Sequence, residues 1–265
     1  MFVVFIIVKN VETIIKSFEV KDELSSEIWS NPTDKPMNEV DASSLKLKPE
    51  IRERLLKIAE LFIDYVKVDV FIEDIRMTGS LANYNWSEYS DVDLHIITSL
   101  SNYGKDSELY EELFKLKKKA FNLKHDIKIK GYDVEVYIED SSGGPRFSAG
   151  IYSVLDNDWV ISPKRENPKI DLNKVKEKSE QWMEIIDGVI DAASNEDIET
   201  SSELFKKYGK KLKNYRECGL KKGGEYSYEN LVFKVLRRNG YIGKFKEAED
   251  KIIDKQLSLK ENRIF

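Results

Sequence analysis

The feature that most constrains the fold lies between residues 70 and 98. A segment of strand character, Val70–Met77, runs directly into Thr78-Gly79-Ser80. After ten intervening residues, Asp91–Thr98 sets Val92, Leu94 and Ile96 in alternation against Asp91, Asp93 and His95. Alternation of period two is the pattern of a strand buried on one face only. Residues i and i+2 of a strand share a face, with α-carbons roughly 6.5–7 Å apart. The chain must therefore build a sheet, and one face of that sheet carries two neighbouring carboxylates.

Around this centre the pattern alternates before it becomes helical. Met1–Val8 is apolar but short, without a basic leader or a small-residue cleavage site, and reads as a strand or docked segment rather than a signal peptide. Residues 21–48 carry Asn31-Pro32 and Lys35-Pro36 with little periodicity and read as an irregular wrap. Pro49 opens a helix whose Ile51, Leu55, Ile58, Ala59, Phe62 and Val66 recur at helical spacing. A second helix is expected over about 106–124, with Leu109, Leu113, Leu116 and Ala120 inward and the run Lys115, Lys117, Lys118, Lys119 largely off that face, in solvent. Tyr132–Glu139 reads as a third strand, closed by the loop Ser141-Ser142-Gly143-Gly144-Pro145. Gly150–Val154 and Trp159–Ile161 suggest a small hairpin.

From there the pattern is helical. Asp171 can cap a helix with Val175, Trp182, Ile186, Val189 and Ile190 inside. Thr200 with Glu203 has the spacing of a capping box. Ser227 begins a further helix, which Asn239-Gly240 closes, with Gly240 as a left-handed cap. The expected architecture is α+β: a small mixed sheet flanked by helices, followed by a C-terminal helical region. The expected division is a catalytic module over 1–165 with an N-terminal extension, then helices over 166–265.

Composition narrows the chemistry. A formal charge of −5 argues against nonspecific coating of nucleic acid, which needs excess Lys and Arg, but leaves room for a local basic patch. No run approaches the roughly 20 apolar residues of a membrane helix, so no membrane partner is expected. The single Cys218 excludes an internal disulfide and suits a reducing, cytoplasmic setting. With one cysteine and two histidines, His95 and His125, a zinc site is not expected, and His95 reads as a hydrogen-bonding neighbour of the acids. Tyr84, Trp86 and Tyr89 are read as packing under the loop before Asp91.

Two elements together suit phosphate chemistry. A glycine at a strand end lets backbone approach a phosphate, a following helix start offers N–H groups, and Ser80 adds a hydroxyl. Asp91 and Asp93 can converge on a hard cation, since magnesium takes one or two carboxylates plus phosphate oxygens. The third strand offers another acid on its polar face, Asp133 or Glu135. The local pattern does not choose between them, but Glu135 sits mid-strand, where the backbone is held from both sides.

Gly79-Ser80, the ten-residue gap and Asp91-Val92-Asp93-Leu94 resemble the signature of the DNA polymerase β-like nucleotidyltransferase superfamily, over about residues 50–140. The resemblance implies a magnesium (or manganese) enzyme acting on a nucleoside triphosphate, with Asp91 and Asp93 as metal ligands. It gives Glu135 the place of the third acid, binding metal or activating an acceptor hydroxyl, although Asp is the commoner residue there. The acceptor is open: an RNA end, a small molecule, a protein side chain or a nucleotide. Gly223-Gly224-Glu225-Tyr226-Ser227-Tyr228 is similar to a Gly-rich, Ser-Tyr element of poly(A) polymerase-like enzymes, which implies triphosphate contacts from Ser227 and a lysine among Lys207, Lys210 and Lys211. The competing reading of Ser227 is a plain helix cap. A non-catalytic nucleotide-binding module, or a toxin-type partner that modifies a cellular target, would share the same residues.

Overall fold

In the computed structural model the described residues are 11–143 and 150–258. Met1–Val8, expected as a strand or docked segment, lies outside them, as do Gly144 and Pro145 of the expected loop. The chain is a mixed α+β protein that divides into two compact units. Residues 17–167 form one, and residues 11–16 with 168–258 form the other.

The first unit is built on a six-stranded sheet. Its strands, in chain order, are β3 (Ile72–Thr78), β4 (Val92–Thr98), β5 (Lys128–Ile129), β6 (Tyr132–Asp140), β7 (Ile151–Ser153) and β8 (Asp158–Ile161). They stand side by side in the order β5-β6-β4-β3-β7-β8. Only the β4–β6 pair is parallel. A parallel neighbour needs a crossover rather than a hairpin, and α2 (Ser107–Lys124) supplies it. The helix α1 (Pro49–Val66) begins at Pro49 and ends on Lys67, whose φ of 66° stops it. Its six expected core residues are buried, in one cluster with Ile75, Met77, Val92, Leu94, Ile96, Val134 and Val136 from the sheet.

Residues 21–48 are mostly irregular, as their composition indicates, with two single 3₁₀ turns, Met37–Glu39 and Ala42–Ser44, and a two-residue ladder between β1 (Trp29–Ser30) and β2 (Lys46–Leu47). That segment ties down the strand-end loop. The Trp29 indole, 1% exposed, donates to the Leu81 carbonyl at 2.8 Å and stacks on Trp159 at 4.5 Å.

The inward face of α2 differs from expectation. Phe114 and Phe121 are the buried residues, whereas Leu109 and Leu116 are 64% and 57% exposed. Phe121 meets Phe62 of α1 edge to face at 4.9 Å, so the larger aromatic stripe is buried. That choice also turns Lys117 and Lys118 partly inward, against the expectation of a solvated lysine run.

The second unit holds α3 (Leu172–Asn195), α4 (Ile198–Gly223), α5 (Tyr228–Arg238) and α6 (Tyr241–Leu257). Asp171 caps α3, and Gly240, at φ 77°, separates α5 from α6, both as the sequence suggests. The start of α4 is corrected: Asp197 is the cap, accepting from the Thr200 N–H at 3.0 Å and from its hydroxyl at 2.8 Å. Thr200 is already inside the helix, because a carboxylate three residues earlier outcompetes its hydroxyl for the first-turn donors. No described helix is long and apolar enough to cross a membrane.

Candidate active site

Register sets the site. On β4, Asp93 pairs with Thr78 of β3 on one side and with Glu135 of β6 on the other. One row further along, His95 pairs with Arg76 and Tyr137. Cross-strand partners share a face and neighbouring strands lie about 4.8 Å apart, so Thr78, Asp93, Glu135, Arg76, His95 and Tyr137 form one continuous polar surface. The opposite face carries Val92, Leu94 and Ile96 into the core. Asp91 lies one residue before β4 begins.

Tyr137 reports how closely the acids gather. Burial pushes its phenol far above the ordinary range, and the nearby carboxylates of Asp93, Glu135 and Asp91 push it further. Its hydroxyl donates to Glu135 Oε2. Its ring stacks on His95, with centroids 4.6 Å apart and planes 6° apart, and His95 Nδ1 lies 2.8 Å from Glu139 Oε2. Glu135 is thus fixed beside Asp93, with its orientation set by a phenol that stays protonated.

Asp133 is placed differently. It is exposed, pairs with Lys128 across the β5–β6 hairpin and is ion-paired with the Lys128 ammonium. Of the two acids the sequence left in contention, only Glu135 stands in register with Asp93.

The loop over the acids depends on Gly79. Its φ of 80° and ψ of −165° belong to glycine alone. A Cβ there would lie 2.0 Å from Asp93 Oδ2, so the absent side chain is the space the carboxylate occupies. Ser80 donates to Ser90 Oγ at 2.7 Å, and Ser90 Oγ also accepts from the Ser87 N–H at 2.9 Å. The expected helix start after Ser80 is a single 3₁₀ turn, Ser80–Ala82. Asn83 returns to extended backbone there, and its side chain accepts from the Tyr84 N–H at 2.8 Å, a local bond that competes with helix. Trp86 braces the same loop through its indole, which donates to the Glu23 carbonyl at 2.9 Å.

One residue of the site was set aside in the sequence. Lys118 lies with its ammonium 3.5 Å from the centre of the Tyr137 ring. Burial lowers its pKa, and the charges of Glu135 and Asp93 oppose that shift. Asn122, one helical turn on, explains how a helix residue reaches the polar face. Its amide donates to the Val136 carbonyl and accepts from the Val136 N–H, both at 3.3 Å, clamping α2 along the edge of β6. The signal was an Asn four residues after a Lys within a lysine run, which has no meaning until β6 is placed beside it.

In the helical unit Ser227 is buried and caps α5, accepting from the Asn230 N–H at 3.3 Å. A Cβ on Gly219 of α4 would lie 2.8 Å from its hydroxyl oxygen. Lys211 lies elsewhere on α4: eight residues of helix span about 12 Å, and its ammonium sits 5.8 Å from the rings of Trp182 and Tyr208. Lys207 likewise lies over Tyr208, at 5.7 Å.

Among the described residues no three His, Cys, Asp or Glu side chains enclose a metal by themselves. Magnesium needs only one or two carboxylates, its remaining positions going to water and phosphate oxygens. Asp91 and Asp93 meet that requirement, with Glu135 beside them. Compared with family models and with curated proteins, the sequence matches none of either.

Proposed function

We propose that this chain is a metal-dependent nucleotidyltransferase of the polymerase β-like kind, moving a nucleoside monophosphate from an NTP to a hydroxyl-type acceptor such as an RNA end or a small molecule. The observation that carries the reading is the pairing of Asp93 with Glu135 on adjacent strands, next to Asp91 and beneath a glycine with no room for a side chain. Three carboxylates that all act on one phenol repel one another, a cost that a binding module has no reason to bear and that a divalent cation relieves.

Asp91 and Asp93 would hold magnesium or manganese, which supplies charge neutralisation at the attacked phosphorus. Gly79 and Ser80 would face the triphosphate, the serine by turning its hydroxyl from Ser90. Glu135, fixed through one oxygen by Tyr137, would accept the proton of the acceptor hydroxyl at the other. The exposed, unpaired Cys218 suits a cytoplasmic protein.

The test is incubation with each labelled NTP, magnesium or manganese, and total RNA or cell extract. Label should move to an acceptor with wild type and fall by orders of magnitude with Asp91→Ala or Asp93→Ala, both of which should remain folded. Transfer that persists in excess EDTA ends this reading. Saturable nucleotide binding with no transfer to any acceptor would identify a non-catalytic module instead.

A further inference from the structure

The outward face of α2 is an apolar seam. Leu109, Leu113, Leu116, Ala120 and Leu123 follow one another at intervals of four, three, four and three. That is the spacing of a coiled-coil stripe, with Leu109, Leu116 and Leu123 at one core position and Leu113 and Ala120 at the other. The protein's own core does not use it: Leu109, Leu116 and Leu123 are 64%, 57% and 88% exposed, while Phe114 and Phe121 anchor the helix on its other side. Single exposed leucines need no explanation. A stripe sustained over four turns does, because each step must keep the heptad phase.

We infer that this seam joins two copies of the chain through antiparallel packing of their α2 helices. The charge pattern selects the occupant. Glu108, Glu111 and Glu112 lie in the first half of the helix, where Lys115 is paired with Glu111 of its own copy, and Lys119 and Lys124 lie in the second. Two helices in opposite directions place acids against bases twice over, by symmetry. The flanking positions also fix the register. With Leu113 facing Leu116 of the second copy, and Leu109 facing Ala120, Glu112 falls beside Lys119 and Lys119 beside Glu112. A slip of one heptad sets Lys119 against its own copy, and a parallel arrangement sets Lys119 against Lys124. Five apolar side chains and their charged flanks are fewer than the roughly 20–30 residues a side of a standard stable interface, so the dimer forms reversibly and depends on concentration.

Sedimentation equilibrium of the full chain tests this without reference to any enzymatic activity. Wild type should pass from monomer to dimer as concentration rises. Leu116→Glu should remain monomeric over the same range with an unchanged melting temperature, because that side chain has no role in the core. Glu112→Lys and Lys119→Glu should each weaken the dimer at least tenfold, and the double exchange should restore it. In a Cys218→Ser background, Leu109→Cys mixed with Ala120→Cys should cross-link on oxidation, and each alone should not. A wild-type monomer at every concentration, a dimer indifferent to Leu116→Glu, or cross-linking of each single cysteine variant with itself would overturn the proposal.

Discussion

Gly79 carries the tightest constraint in the molecule. Its backbone conformation costs any other residue about 1–3 kcal/mol, and the contact with Asp93 Oδ2 adds a clash that only movement of the carboxylate can relieve. Gly79→Ala should therefore destabilise the chain more than backbone strain alone would, and Asp93→Ala should recover part of the loss. Thermal denaturation of the two single variants and the double measures the coupling; strict additivity would mean that Asp93 does not occupy that space. The third acid is decided at the same scale. Glu135→Gln keeps size, removes charge and should abolish transfer while nucleotide binding persists. Asp133→Asn should be mild, since its partner is the exposed Lys128 ammonium and surface pairs of this kind contribute little. The reverse ranking would move the role to Asp133.

Among the elements, α2 shows what a sequence can and cannot disclose. Its existence and bounds follow from periodicity, but it carries two apolar stripes, and periodicity cannot say which one the sheet will take. Phe114 and Phe121 win because Phe62 and Tyr65 of α1 wait to receive Phe121, at 4.9 and 5.4 Å. That partnership spans about 60 residues and leaves no local trace. The acids are the opposite case. Asp93 and Glu135 fall on the polar faces that alternation assigns to their strands, Asp91 lies one residue before β4, and only the parallel register sets Glu135 rather than Asp133 opposite Asp93. Lys118 was not legible, since its position depends on the Asn122 clamp. Asn122→Leu should remove both bonds to Val136 and cost about 1–3 kcal/mol. It should also loosen Lys118 from Tyr137, so that exchange protection of β6 falls selectively around residue 136. A loss of stability with β6 protection intact would show that the clamp does not hold the strand edge.

At the scale of the whole molecule, the chain passes between its two units twice, once near residue 16 and again near residue 167. The α/β unit is in effect inserted into the helical one, and the first described residues belong with helices that follow them by more than 150 positions. Val11 and Ile14 are 1% and 0% exposed, and burial of such side chains contributes about 1.5–3 kcal/mol each. The Glu12–Lys176 ion pair at 2.8 Å joins the same segment to α3, but with both side chains partly exposed it adds little beside the apolar contacts. Removal of residues 1–16 should therefore injure the far end of the sequence rather than the near one. Hydrogen exchange on the truncated chain should accelerate across α3 to α6. The amides of α1 and β4, which lie closer in sequence to the deletion, should keep their protection. Faster exchange confined to the sheet would show that the segment serves the α/β unit, and uniform acceleration would show that the two units unfold as one.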